Sequence, residues 1–227
     1  MKRKYVALIC LILVITMLLV ACNGTANDFQ YKTAFSMAKF DPKGIIIQKY
    51  VGTNIDVTVP NRLNGKEVRS VEEYAFTGTN VEILRFQSRV SDSLHVYEAL
   101  NLRKLYLPNS DDWYFIPGES AHISGCSKLE EIHFPPMFYA IGDNDYRYGR
   151  KSPSIVDCKN LRKMYFYNSH AVAEIWTVNA LFESDLPKTF YDDLTVYVPS
   201  NMLNEYRQHK IWKTFNLQTF DAVWVEP

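Results

Sequence analysis

Apolar residues along this chain recur in a repeated phrase and not in a helical stripe. Asn101-Leu102-Arg103-Lys104-Leu105-Tyr106-Leu107-Pro108 states it. It returns as Lys128-Leu129-Glu130-Glu131-Ile132-His133-Phe134-Pro135 and as Asn160-Leu161-Arg162-Lys163-Met164-Tyr165-Phe166-Tyr167. Looser copies run from Asn80 to Phe86 and from Asp193 to Pro199. The spacing is Leu-x-x-Leu-x-Leu, so the last two apolar positions alternate as in a half-buried strand. Self-similarity of this kind is the mark of a solenoid, in which each coil leans on its neighbours.

Between the phrases the pattern predicts short strands and turns. Ile45-Ile46-Ile47 and Tyr50, then Ile55 to Val59, flank Gly52-Thr53-Asn54 and predict a β-hairpin or a pair of short strands that caps the first coil. Asn64-Gly65 predicts a tight turn, with Val68 and Val71 opening the next strand. The closing residues Val59, Phe86, Leu107, Phe134, Phe166 and Val198 lie 27, 21, 27, 32 and 32 positions apart. The surplus of the later coils falls in Asp143 to Pro153, a polar loop, and in His170 to Lys188, apolar enough to be covered and partly helical. Leu203 to Phe215 predicts a short closing helix, with Tyr206 and Trp212 under the last coil.

One coil cannot hold itself. It turns about three apolar residues inward at ~1.5–3 kcal/mol each. Ordering its backbone costs ~1–2 kcal/mol per residue. Only stacking offsets the difference, so the array is read as a unit.

Several stretches together resemble the BspA-like leucine-rich repeat family of bacterial surface proteins. They are Val57-Thr58-Val59-Pro60, Asn64-Gly65-Lys66-Glu67-Val68, Val71, Ala75-Phe76, Gly78, and Val81 with Leu84 and Phe86. Ile123-Ser124-Gly125-Cys126-Ser127-Lys128-Leu129 and Ile155-Val156-Asp157-Cys158-Lys159-Asn160-Leu161 carry its "GC..L" element, the second with Asp157 in place of Gly. Val196-Tyr197-Val198-Pro199, Tyr206 and Ile211-Trp212-Lys213 are similar to the end of such arrays. The likeness spans roughly residues 44 to 220. It implies a β-rich (α+β) leucine-rich repeat stack of about five to six irregular coils, with an N-terminal hairpin cap and a C-terminal capping helix. It also implies a non-enzymatic module for adhesion or recognition. Cys126 and Cys158 occupy equivalent places. An exported protein can form disulfides, whereas the resemblance implies small buried thiols.

The N-terminus changes the picture of where such a module works. Lys2-Arg3-Lys4 precede a run from Val6 to Val20 broken only by Cys10 and Thr16. A basic start, a short apolar run and small residues at its end make a secretory leader, and the run falls short of the ~20 residues that span a bilayer. Leu19-Val20-Ala21-Cys22 resembles the lipobox of bacterial lipoproteins, which implies cleavage before Cys22 and acylation of it. The expected organisation is a leader over 1–21, a lipidated Cys22 and tether over 22–43, and a repeat domain over 44–227. The expected place is the cell envelope, outside the cytoplasm, at the outer membrane or cell surface. Only Asp28 is acidic near Cys22, so no acidic export run supports display.

The chain has 227 residues, 47% hydrophobic and 14% aromatic, enough for a real core. Formal net charge is +0; without Lys2, Arg3 and Lys4 the rest carries 22 basic residues against 25 acidic. That balance gives no electrostatic grip on nucleic acid. The five histidines lack metal-ligand spacing, Asp143-Asn144-Asp145 lacks the Gly and Glu of a calcium loop, and no nucleophile or phosphate-binding motif appears. No cofactor and no catalysis are expected.

The best-placed binding residues sit between the two buried positions of each phrase: Arg85, Tyr106, His133, Tyr165 and Tyr197. On strands they point away from the core, and stacking aligns them in a column flanked by Lys104, Glu131 and Lys163. Tyrosine offers wide contact with a polar tip, although such a ladder also packs a sheet by cross-strand contact. Tyr146 and Tyr148 form a second, loop-borne aromatic candidate, beside Trp113, Tyr114, Phe115, Phe138 and Tyr139. The expected partner is a protein or glycan outside the cytoplasm. The alternative is a structural subunit of an envelope complex.

Overall fold

A computed structural model describes residues 26–33, 44–87, 93–109, 121–138, 140–141, 155–175, 178–182 and 186–225. Among these residues the strands in chain order are β1 Phe29–Thr33, β2 Gly44–Tyr50, β3 Asp56–Val59, β4 Arg62–Leu63, β5 Lys66–Val71, β6 Ile83–Phe86, β7 Ser93–Tyr97 and β8 Lys104–Tyr106, then β9 Ala121–Ser124, β10 Glu131–Phe134, β11 Ala140–Ile141, β12 Ile155–Val156, β13 Lys163–Phe166, β14 Glu174–Ile175, β15 Thr195–Pro199 and β16 Asn216–Phe220. Among the described residues the short α-helices are α1 Val178–Leu181, α2 Lys188–Asp193 and α3 Leu203–Gln208.

The chain winds alternately between two sheets. The front sheet takes the repeated phrase, in the order β3-β6-β8-β10-β13-β15-β16, all parallel. The back sheet runs β1-β2-β5-β7-β9-β12, parallel from β2 onward, with β4 turned back on β5. Parallel neighbours reached through a crossover on the opposite side are what a coiled stack requires. The architecture fits the leucine-rich-repeat type of stack.

Register puts equal positions on top of one another. Val57, Leu84, Leu105, Ile132, Met164 and Val196 pair in sequence across the front sheet, and each is fully buried. Val59, Phe86, Leu107, Phe134, Phe166 and Val198 form the second inner row, with Phe134 and Phe166 stacked at 4.4 Å. The back sheet answers with Ile45, Ile47, Val68, Val71, Leu94, Val96, Ile123 and Ile155.

Each winding must turn sharply from back sheet to front. Glu98, Gly125 and Asp157 hold the same place in three successive coils, and all take positive φ (50°, 67° and 52°). Only glycine adopts that region without strain. A Cβ at Gly125 would lie 3.2 Å from the Glu98 side chain of the coil before. Next in line come the small residues Ala99, Cys126 and Cys158, all buried, whose carbonyls accept from Leu102, Leu129 and Leu161. Both cysteines are free thiols. Cys126 Sγ donates to the Val96 carbonyl of the previous coil at 3.5 Å.

Three features differ from the sequence expectation. The N-terminal hairpin does not form around Gly52, because β2 and β3 belong to different sheets and are a half-winding, not a pair. The antiparallel partner of β2 is β1, which pairs Phe29 with Tyr50 and Thr33 with Ile45. Phe29 is 4% exposed, so the packed body reaches back into the stretch expected to be tether. At the other end the closing helix is not last: β16 follows it and extends the front sheet. Tyr206 and Trp212 do pack under the last coil, both fully buried. The Asn64-Gly65 turn is as expected, with φ of 50° and 77° linking β4 to β5.

Candidate functional site

The outward positions of the front sheet form one continuous stack. Strand pairing sets Thr58, Arg85, Tyr106, His133, Tyr165, Tyr197 and Gln218 side by side. Parallel in-register strands lie about 4.8 Å apart, close to ring-stacking distance, so the planes lie flat on one another. Tyr106 and His133 stack at 4.0 Å and 9°, His133 and Tyr165 at 4.5 Å and 5°, Tyr165 and Tyr197 at 4.5 Å and 10°. The Arg85 guanidinium caps the pile, 4.9 Å over the Tyr106 ring, and pairs with Asp56 on the neighbouring strand. All five expected column residues are therefore brought together.

An ionic row runs beside the rings. Asp56, Ile83, Lys104, Glu131, Lys163, Thr195 and Asn216 are the adjacent aligned positions. Glu131 receives Lys104 and Lys163, each Nζ 3.1 Å from a different carboxylate oxygen. Burial acts to raise the Glu131 pKa, but hydrogen bonds and charge from the two lysines outweigh it and hold the group below its ordinary value. Glu131 in turn holds the Lys163 ammonium above its ordinary pKa.

His133 is at the centre and differs from the open face the sequence suggests. It is 6% exposed. Burial lowers its pKa from 6.5 to about 4, with Glu131 opposing and the Lys104 and Arg85 charges assisting. The ring is therefore neutral near pH 7. Its Nδ1 lies 3.1 Å from the Tyr167 hydroxyl, and its Nε2 is 3.6 Å from the Glu131 carboxylate. A neutral imidazole has one donor and one acceptor. Burial pushes the Tyr167 hydroxyl up to about 12, so it remains a donor. Nδ1 then accepts from Tyr167, and Nε2–H points at Glu131 across a gap too long for a hydrogen bond.

What covers His133 is the chain itself. After β16 the backbone turns back across the strands. Phe220 meets Tyr165 and Tyr167 edge-on at 5.5 and 4.9 Å. Trp224 meets Tyr167 at 5.0 Å and lies 6.4 Å from Tyr106. Sequence reasoning missed Tyr167, Phe220 and Trp224. Tyr167 takes the place of the Pro that ends the two earlier phrases, a legible signal. Phe220 and Trp224 follow the closing helix, where no repeat remains to align them.

The back sheet carries a smaller cluster that the phrase also does not announce. Tyr74, His95 and His122 each meet Tyr97 edge-on, at 5.5, 5.8 and 5.2 Å. A shallow cavity of about 400 Å³ beside them is lined by Glu72, Glu73, Tyr74 and His95. Glu72 is occupied by Lys32 of β1. Among the described residues no group of three metal-ligating side chains converges, and no helix is long and apolar enough to cross a membrane. Cys22, Tyr146 and Tyr148 lie outside the described residues, as do Trp113 to Phe115 and Tyr139. Phe138 packs inward against Phe134 and Phe166 at 4.8 and 6.2 Å.

No protein-family model matches the chain, and no curated protein matches it. Among solved structures, the crystal structure of the leucine-rich repeat protein of T. pallidum is similar at 18% identity. The match covers 89% of this chain and 100% of that one, with a TM-score of 0.42. The fold rests on the strand pairing above, which stands without that superposition.

Proposed function

We propose that this chain is a non-catalytic recognition module, anchored outside the cytoplasm through an acylated Cys22, that binds a protein or glycan on its front sheet. The observation that carries the reading is the unbroken stack from Arg85 to Tyr197 on a rigid parallel sheet. Rings held by backbone register are already ordered, so a partner meets them without an ordering cost. Tyr and Arg are also the residues that anchor binding surfaces. The BspA-like resemblance supports adhesion at a cell surface as the setting, and the Leu19-Val20-Ala21-Cys22 lipobox supports the anchor.

Three experiments test it. Cys22→Ser should abolish incorporation of labelled fatty acid and release the protein from the membrane fraction; retained label overturns the anchor. Intact cells treated with added protease should lose the domain. Protection would overturn surface adhesion and favour a subunit of a complex inside the envelope. Purified wild type should bind immobilised matrix proteins or glycans, and the combined variant Tyr106→Ser, Tyr165→Ser, Tyr197→Ser should not. Equal binding by the folded variant assigns the column to packing alone.

A further inference from the structure

The segment after β16 shows what shape of partner the front face accepts. Strand pairing ends at Phe220. From Phe220 to Val225 the chain crosses the sheet with two rings turned down, Phe220 over Tyr165 and Tyr167, Trp224 over Tyr167 and toward Tyr106. Aromatic edges on aromatic faces are the favoured geometry for such contacts. Between the rings the segment gives little. Val223 is 83% exposed and Val225 80%. Asp221 accepts from the Ser200 hydroxyl at 2.6 Å, an exposed bond.

The fit is incomplete in its polar atoms. Trp224 Nε1 is buried without a hydrogen-bond partner, and so is His133 Nε2. A buried donor left unmade costs free energy that water would have recovered. A core contact that served only stability would have no reason to keep an indole N–H there. Phe would keep an aromatic ring there without the orphan, though with less ring volume.

We propose that the groove over Tyr106, His133, Tyr165 and Tyr167 is a site for an extended peptide with two aromatic side chains four residues apart, and that Phe220 to Val225 fill it in cis as a displaceable stand-in. This rests on the front sheet being the binding face. It goes further in naming an aromatic-bearing peptide as the ligand and an intrachain competitor as the control. A partner must displace the strap, so its apparent affinity falls by the fraction of time the face is open. A partner with an acceptor for the indole N–H, or with Phe in its place, removes one orphan and gains over the strap.

The test uses the full chain as wild type and as Trp224→Ala, with a fluorescein-labelled peptide Leu-Gln-Thr-Phe-Asp-Ala-Val-Trp-Val-Glu, the sequence of residues 217–226. Fluorescence anisotropy should show Trp224→Ala binding the peptide about tenfold or more tightly than wild type. The same peptide with Ala for both aromatics should not bind, and Tyr165→Ser added to Trp224→Ala should remove the gain. Equal affinity for both proteins, or no binding by either while circular dichroism shows both folded, overturns the strap and makes the segment part of the core. A gain in affinity for chitohexaose but not for the peptide overturns the peptide ligand and leaves the recognition face standing. Failure of the recognition reading is separate: matrix and glycan binding would then be indifferent to the three tyrosines.

Discussion

The His133 imidazole lies flat on the Tyr165 ring, centroids 4.5 Å apart and planes 5° from parallel, while its Nδ1 faces the Tyr167 hydroxyl at 3.1 Å. A histidine so held should make stability depend on pH. In the folded state its pKa is lowered by burial to about 4, against an unfolded 6.5. Below 6.5 the unfolded chain takes up a proton that the folded chain refuses, so the neutral form's stability is present above 6.5 and lost as pH falls towards 4. Burial is the largest cause; Glu131 favours the charged ring and outweighs the repulsion from Lys104 and Arg85, but not the cost of burial. Between pH 7.5 and 5 the loss should be about 2 kcal/mol. Urea unfolding at both values should show it, and His133→Gln should remove that slope. An unchanged slope in the variant would place the titration elsewhere.

The inner column predicts a different response. Leu105 stands between Leu84 and Ile132 in strict register and is fully buried. Leu105→Ala should cost about 2–5 kcal/mol, part transfer and part cavity. Leu105→Asp places an unpaired charge in the stack. Because each coil touches only its neighbours, amide exchange should rise first in β6, β8 and β10. A cooperative melt at the wild-type temperature would contradict this.

These two residues also show what was legible in the sequence. Leu105 and His133 announce themselves because the phrase alternates in and out along one strand, and copies of it must stack in register. The outward column follows from that alignment alone. The back sheet is less visible, since β9 and β12 are short and their inward residues Ile123 and Ile155 stand almost alone among polar neighbours. The pairing of β2 with β1 was hidden because Ile45-Ile46-Ile47 fits a hairpin and a solenoid strand equally well. The cover over His133 was hidden for a deeper reason. Phe220 and Trp224 obey no period, and their places are set by a return of the chain across the sheet.

Glu131 ties three coils together through Lys104 and Lys163. The carboxylate side chain is 12% exposed and the lysines 39% and 43%, so solvent screens half of each pair. Glu131→Gln should therefore cost only about 1 kcal/mol. Added salt should reduce the wild-type advantage. A double-mutant cycle between Glu131→Gln and Lys163→Met measures the coupling directly. A cost that survives molar salt would mean that the Glu131 carboxylate acts through packing or the His133 contact instead.

The cap at the far end hangs on the backbone of one residue, Ala173. The Ala173 N–H donates to the Tyr206 hydroxyl at 3.1 Å, and the Trp212 indole N–H donates to the Ala173 carbonyl at 2.6 Å. All three residues are buried, and the rings of Tyr206 and Trp212 lie 5.9 Å apart. Burial holds the Tyr206 hydroxyl well above its ordinary pKa, so it stays neutral through the physiological range. Tyr206→Phe keeps the ring and strands a buried N–H, which should cost about 1–3 kcal/mol. Trp212→Phe strands the carbonyl and also loses ring volume, so it should cost more. Since β16 begins just after the turn that carries Trp212, either change should loosen β16 and with it the ring of Trp224. Iodide quenching of tryptophan emission, compared with the same variants carrying Trp224→Phe, reads that exposure. Unchanged quenching of Trp224 in a destabilised Tyr206→Phe protein would show that the cap and the strap are held independently.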